Sequence, residues 1–191
     1  MMCNDVQYVL GLMSGTSLDG LDLAHCRFGL VKGRWHYRIL EAETISFTKD
    51  WQQRLQMLDR LSAGDLALAD VELGHLMGKL AKGFIDKHRL NPGFIASHGQ
   101  TIFHQPHLKW TTQIGNGAAI AAETGLPVVC DFRSTDVALG GQGAPLVPIG
   151  DRLLFPEFTF CLNLGGFANI SFEREGSRIA FDICPVNMVL N

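Results

Sequence analysis

The chain has 191 residues, 47% of them apolar, and a formal net charge of −3 at pH 7. That length is enough to bury a hydrophobic core in one large domain or one and a half. The composition excludes a disordered tail, and the near-balanced charge excludes a broadly basic nucleic-acid surface, so any phosphate binding must be local.

Val6 to Met13 is a short, almost uncharged apolar run that breaks into Ser14-Gly15-Thr16-Ser17-Leu18-Asp19-Gly20. After it, Leu21, Leu23 and His25 alternate with Asp22, Ala24 and Cys26. Strand, polar turn and strand predict a hairpin. Gly33 supplies a second turn and Trp35 to Phe47 a third strand, so the chain opens on an antiparallel meander. From Asp50 the period changes: Trp51, Leu55, Leu58 and Leu61 fall on one helical face, with Gly64 closing the helix. A longer helix follows, its apolar positions Leu66, Ala69, Leu73, Leu76, Met77, Leu80, Phe84 and Ile85 recurring every three or four residues until Asn91-Pro92 stops it.

Phe94 to Ala96 reads as a strand that delivers Ser97-His98-Gly99-Gln100-Thr101 at its C-terminal end, where polar groups are well placed for a site. A proline-containing loop follows around Gln105-Pro106-His107, and Thr112 to Ile114 is another short strand. Asn116 caps a helix from Gly117 to Thr124 that Gly125 ends. Leu126 to Phe132 is expected to be a buried strand, and Asp131 to Pro148 a long irregular stretch of the kind that is often functional. Phe158 to Leu164 and Ala168 to Phe172 flank Gly165-Gly166-Phe167 as a second hairpin, and Ile179 to Ile183 is a last strand. Two units of strand, glycine turn and strand suggest internal duplication.

The five cysteines, Cys3, Cys26, Cys130, Cys161 and Cys184, are far apart and odd in number, and three lie in apolar runs. This pattern predicts reduced core thiols in a reducing compartment, and no CxxC or clustered His/Cys spacing points to zinc. Asp5 stands where a secretory signal would carry lysine or arginine, so no signal peptide and no membrane span are expected, and the location follows as cytoplasmic.

Four constellations could carry chemistry. The turn from Gly15 to Asp22 combines two glycines, which let backbone N–H groups approach an anion, with the Thr16 and Ser17 hydroxyls, and Asp19 could hold magnesium through water. It lacks the lysine of a Walker loop, and as composition alone it is equally an ordinary hairpin turn. Gly165 and Gly166 offer a second such turn, and phosphate donors from two sides would hold a nucleoside triphosphate. Asp182, at the end of a short apolar strand, is either a proton acceptor of the kind a kinase uses or a solvated turn residue. His98 could bond a sugar hydroxyl and Arg133 a substrate carboxylate, though each is also compatible with a structural role. His36, His75, His88, His104 and His107 read as surface or packing residues.

Six ordered stretches, from the turn at Gly15-Thr16-Ser17-Leu18-Asp19-Gly20 through Ser97-His98-Gly99-Gln100-Thr101, Gln113-Ile114-Gly115, Asp131-Phe132-Arg133 and Gly140 to Pro148, to Asn163-Leu164-Gly165-Gly166-Phe167-Ala168-Asn169, resemble the anhydro-N-acetylmuramic acid kinase family. The resemblance runs from about Tyr8 to the last residue. It implies an α/β fold: a ribonuclease H-like domain of the actin and hexokinase type, with a mixed central sheet flanked by helices, plus the start of a second related domain. Residues 1–150 would belong to the first and 151–191 to the second, incomplete one.

The resemblance further implies an ATP- and Mg2+-dependent carbohydrate kinase, which opens the ring of 1,6-anhydro-N-acetylmuramic acid hydrolytically and makes N-acetylmuramic acid 6-phosphate in cell-wall recycling. Gly15, Thr16, Ser17, Leu18, Asp19, Gly20, Leu21 and Asp22 match its ATP-binding segment, with Asp19 toward the metal and Gly165 and Gly166 as the second phosphate turn. Asp182 matches its catalytic aspartate, and His98 and Arg133 fall in motifs that line the sugar pocket. The expected partners are the amino sugar and ATP, with neither nucleic acid nor membrane, and a homodimer is an option. The family's Asp-Thr-Gly-Pro-Gly-Asn run stands here as Asp182-Ile183-Cys184-Pro185-Val186-Asn187, without both glycines. That departure, with the stop at Asn191, leaves open a fragment or natural truncation, and a non-catalytic sugar-binding or interaction module as the alternative.

Overall fold

The protein is described by a computed structural model over residues 6–15, 18–186 and 189. Strands β1 (Val6–Ser14), β2 (Gly20–Val31) and β3 (Arg34–Ser46) form the expected meander. Leu10 pairs with His25, Leu12 with Leu23 and Ser14 with Leu21. Because strand residues two apart share a face, Leu10, Leu12, Leu21 and Leu23 form one buried surface.

Where a single helix was expected from Asp50, α1 (Lys49–Gln56) is followed by a separate 3-10 turn at Leu58–Arg60. The break comes at Met57, whose N–H reaches back only three residues to the Arg54 carbonyl, tightening the last turn. Helix α2 (Ala63–His88) starts after Ser62, whose hydroxyl accepts from the Asp65 N–H at 3.2 Å. Gly64 therefore lies inside a first turn and does not close a helix. At the other end Arg89 adopts a left-handed backbone, φ 53°, and its N–H closes on the Ile85 and Asp86 carbonyls. The helix is stopped there, before Asn91-Pro92.

Strand β4 (Phe94–Ser97) runs parallel to β1. Gln100–Gln105 and Trp110–Ile114 then pair as a two-stranded ribbon, β5 and β6, joined by a 3-10 turn at Pro106–Leu108 where the sequence suggested only a loop. Helix α3 (Gly117–Thr124) has the expected Asn116 cap, accepting from the Ala119 N–H at 3.1 Å, and the expected Gly125 end. Strand β7 is only Val128–Val129 and pairs with β4 alone. The sheet order is β3-β2-β1-β4-β7. As the outermost strand β7 is not buried: Val129 is 51% exposed, contrary to expectation.

The stretch expected to be irregular contains α4 (Ser134–Ala138) and the start of α5 (Val147–Leu154). A second, three-stranded sheet follows in the order β10-β9-β8, from β8 (Phe160–Leu164), β9 (Phe167–Arg174) and β10 (Ser177–Pro185). The sequence located all three strands, with β10 longer at both ends.

Leu73, Met77 and Phe84 of α2 and Ile120 of α3 pack with Leu10, Leu12 and Ile95 of the five-stranded sheet in one buried cluster. Each such side chain stabilises by about 1.5–3 kcal/mol through its removal from water. The mixed sheet with helices against it is the α/β architecture that the resemblance implied. Cys26, Cys130, Cys161 and Cys184 are free, but none is a core thiol: Cys26 and Cys161 are half-buried, and Cys130 and Cys184 are exposed where β7 and β10 run out; Cys3 lies outside the described residues. No helix among the described residues is long and apolar enough to cross a membrane.

Candidate functional site

Strands β1, β4 and β7 are parallel, so their C-terminal ends bring three loops to one edge of the sheet: the turn at Gly15, the Ser97–Gln100 segment and the segment leading to Arg133. In open α/β sheets that edge is where ligands bind. The first two loops are tied together. The His98 N–H donates to the Leu12 carbonyl at 3.0 Å, and the buried Ser14 hydroxyl donates to Gln100 Oε1 at 2.6 Å.

Of the segment expected to bind nucleotide, Thr16 and Ser17 lie outside the described residues. Leu18 donates its N–H to the Gly15 carbonyl at 3.2 Å with φ 56°. A left-handed leucine costs on the order of 1–3 kcal/mol, and such strain collects at ligand clamps, where the surroundings over-determine it. The Phe47 N–H anchors the turn through the Asp19 carbonyl at 3.0 Å, and Thr44 donates to the Asp22 carboxylate at 2.5 Å. Gly20 and Leu21 are buried beneath the turn, and Asp19 is exposed. Among the described residues no three of His, Cys, Asp or Glu gather as a metal-binding group.

His98 and Arg133, read separately in the sequence, are partners in the structure. The guanidinium donates to His98 Nε2 from Nε at 3.1 Å and from a terminal nitrogen at 2.9 Å, and its other terminal nitrogen donates to the Gly143 carbonyl at 2.7 Å. His98 Nδ1 faces the Gly99 carbonyl at 2.9 Å. Burial pushes the His98 pKa below its usual range and the Arg133 charge adds to that, against the opposing Gly99 bond.

The loops that set this pair are themselves braced. Gly99 has φ +70°, and a Cβ there would stand 2.5 Å from the Ile114 carbonyl oxygen. Gly143 has φ +62°, a Cβ there would stand 2.5 Å from Val137, and its N–H donates to Asp136 at 2.7 Å. No side chain fits either place without displacing backbone or core. On α2, Asp70 accepts from the Gly115 N–H at 2.8 Å and the Asn116 amide at 2.9 Å, fixing the end of the ribbon and the start of α3. Ser97, His98, Gly99, Gln113, Gly117 and Asp131 line a polar cleft of about 270 Å³ between these elements.

Asp182 lies on β10, exposed. The register sets Asn163, Asn169 and Asp182 side by side across the three strands, one polar row on one face. The row ends beside the Gly165-Gly166 turn, which is tied to β10 by the Val186 N–H donating to the Gly166 carbonyl at 2.8 Å. Asp182 and the second glycine turn therefore belong to one sheet. No hydrogen bond or ion pair among the described residues joins this row to the His98–Arg133 pair.

Sequence reasoning missed the supporting residues. Gln100 stood in a motif but was given no task. Asp70 and Asp136 are single carboxylates on helices, with no local pattern to mark them. His104, set aside as a surface or packing residue, feels the Arg133 charge, which together with the larger effect of burial lowers its pKa. Of the ribbon that carries it, the sequence reading placed a short strand at Thr112 to Ile114, within β6, but not β5.

A family model described as anhydro-N-acetylmuramic acid kinase matches residues 7–191. Proteins so named from Pasteurella multocida and Pseudomonas putida are 39% and 40% identical, over 96% and 95% of this chain and 51% and 52% of their own. One from Clostridioides difficile is 38% identical over 96% of this chain and 53% of its own. The chain spans about half the length of these curated relatives. A solved Ppx/GppA family member from Aquifex aeolicus aligns with TM-score 0.44 at 10% identity, over 97% of this chain and 54% of that one, too distant to argue from. Matched along nearly its whole length, and carrying the paired loops described above, the chain belongs to the anhydro-N-acetylmuramic acid kinase family.

Proposed function

We propose that this chain is the phosphate-gripping and acid/base part of a cytoplasmic kinase that acts on 1,6-anhydro-N-acetylmuramic acid. The observation that carries the reading is the convergence of the Gly15 turn, His98 and Arg133 at the C-terminal edge of three parallel strands. The strained Leu18 and the small, hydroxyl-bearing residues around it suit the close approach of phosphate oxygens. Gly15 to Asp22 and the Gly165-Gly166 turn would hold the nucleotide, and Asp19 would hold magnesium through water. Bound ATP would supply the phosphoryl group, and the metal would neutralise the charge on the phosphates.

The chain's own residues do the rest. Asp182 takes the proton of a water that attacks the anomeric carbon, which frees the sugar O6 to accept the phosphoryl group. Arg133 receives the lactyl carboxylate, and His98 borders the same pocket. Residues 1–150 and 151–191 belong to two domains that meet within α5.

On the full-length protein, Asp182→Asn is expected to lower kcat about 10²–10⁴-fold in a coupled ADP assay while sugar affinity by calorimetry stays within about threefold. A second reading, a sugar-binding module without transfer, is favoured by Cys184 and Val186 where the family pattern has glycines. It predicts sugar binding with no ADP release before or after the substitution. Undiminished turnover in Asp182→Asn would overturn the assignment of the aspartate.

A further inference from the structure

We infer that His98 is a positioning residue that holds the Arg133 guanidinium as a carboxylate receptor, and that it does so only as the neutral imidazole with its proton on Nδ1. This rests on the reading of Arg133 given under Proposed function and adds to it the device that orients the guanidinium.

Hydrogen-bond bookkeeping carries the inference. A carbonyl oxygen only accepts, so the 2.9 Å contact between Nδ1 and the Gly99 carbonyl requires a proton on Nδ1. A guanidinium only donates, so its two contacts with Nε2 at 3.1 and 2.9 Å require a lone pair there. Both conditions hold together only in the neutral ring. Of the five guanidinium hydrogens, two go to Nε2 and one to the Gly143 carbonyl. One is left on each terminal nitrogen, the number that a carboxylate takes from an arginine.

The histidine thus spends the inner edge of the guanidinium and leaves donors for a ligand. Gly143, held by Asp136, blocks rotation on the other side. A lysine at 133 could not reproduce this, because an ammonium has no fixed fork to be aimed.

Protonation of His98 would replace the accepting lone pair with an N–H pointed at two others and set two cations against each other. The charged and titratable groups around it do not offset that. Arg133 touches the ring directly, and His104 on β5 lies near the same guanidinium. Asp70 and Asp131 line the shared cleft, yet Asp70 bonds Gly115 and Asn116 and Asp131 bonds the Ser134 N–H. Asp136 is engaged by Gly143. None of these carboxylates bonds the His98 ring among the described residues. Burial lowers the ring's pKa and keeps it neutral near pH 7.

The test uses the full-length protein and two sugars, 1,6-anhydro-N-acetylmuramic acid and 1,6-anhydro-N-acetylglucosamine, which lacks the lactyl carboxylate. Rates at saturating ATP are read from pH 5 to 8.5, with sugar affinity by calorimetry as a parallel readout. The muramic carboxylate stays ionised across that range. In the unaltered protein, KM for the muramic sugar is expected to rise as pH falls through the His98 titration, and KM for the other sugar to stay level. His98→Gln keeps an acceptor near the place of Nε2 and does not titrate. It is expected to hold KM within about threefold at pH 8 and to lose the acid-side rise, whereas His98→Ala raises KM for the muramic sugar about tenfold or more with kcat little changed.

An acid-side rise that survives in His98→Gln, or an equal KM increase for both sugars in His98→Ala, would overturn the inference. Arg133→Ala separates it from the reading beneath. If that variant leaves the ratio of the two sugars unchanged, Arg133 is not the carboxylate receptor. If it abolishes the ratio while His98→Ala preserves it, only the role of His98 fails. Should His98→Ala not fold, the profiles of the unaltered protein and His98→Gln decide alone.

Discussion

The two sheets of this chain handle their apolar residues in opposite ways. In the five-stranded sheet, Leu10, Leu12 and Leu23 are 0%, 2% and 1% exposed beneath α2 and α3. In the three-stranded sheet, Phe160, Leu162 and Leu164 of β8 alternate with polar or small residues just as regularly, yet remain 60%, 58% and 62% exposed. Strand patterning specifies which residues share a face but not whether anything covers it. An apolar stripe of this length is a surface suited to a cover.

The opposite face of the small sheet is held by polar contacts. Ser171 donates to the nearly buried Asp151 of α5, Arg178 donates to Ser171 at 2.9 Å, and Arg178 and Asp151 pair at 3.8 Å. The same face carries Asp182, because residues 178, 180 and 182 of β10 stand opposite 173, 171 and 169 of β9. One sheet thus rests on hydrophobic burial and the other on a partly buried ionic network that adjoins the proposed acid/base residue.

Four measurements sharpen this contrast, taken here from the largest expected effect to the smallest. Asp151→Ala strands the Arg178 guanidinium with, among the described residues, only Glu173, itself 3.8 Å away, as a charged partner. The expected cost is about 3–5 kcal/mol in urea unfolding; a loss under about 1 kcal/mol would show that the network does not hold α5. Leu73→Ala, at a fully buried position in the other core, is expected to cost about 2–5 kcal/mol in the same assay.

The third measurement concerns His25, 4% exposed on the core face of β2, with neither ring nitrogen bonded among the described residues. Burial lowers its pKa, opposed by the nearby Glu41. Because the unfolded chain takes up the proton first, the stability this group contributes is present above its unfolded value near 6.5 and is lost as pH falls through the lower folded value. Urea midpoints between pH 8 and 5 should therefore drop on the acid side, and His25→Leu should flatten that part of the curve; an unchanged slope would clear His25. The smallest effect belongs to Leu162→Lys on the open face, expected to stay within about 0.5 kcal/mol in this chain. A cost like that of Leu73→Ala would mean that the stripe is covered.

Reading from sequence succeeded where a short local pattern suffices. The meander, the Asn116 and Gly125 helix boundaries and the two glycine hairpins follow from alternation, capping and turn chemistry within a few residues. It failed where a competing local bond won: Ser62 capped α2 ahead of Gly64, and Arg89 closed it ahead of Pro92. It also placed β7 in the interior, because a run of apolar residues does not say whether a strand has one neighbour or two.

By itself the sequence determined the element order, the alternation that builds the first core and the motifs that mark Gly15, His98, Arg133 and Asp182 as candidates. Only the tertiary structure decided that His98 and Arg133 are one unit, that Asp70 and Asp136 brace the loops around them, and that Asn163 and Asn169 stand in line with Asp182. The physical reason is range. Capping, turns and periodicity act over a few residues, whereas the contact between positions 98 and 133 is made only once β1, β4 and β7 have paired and brought their ends to a common edge.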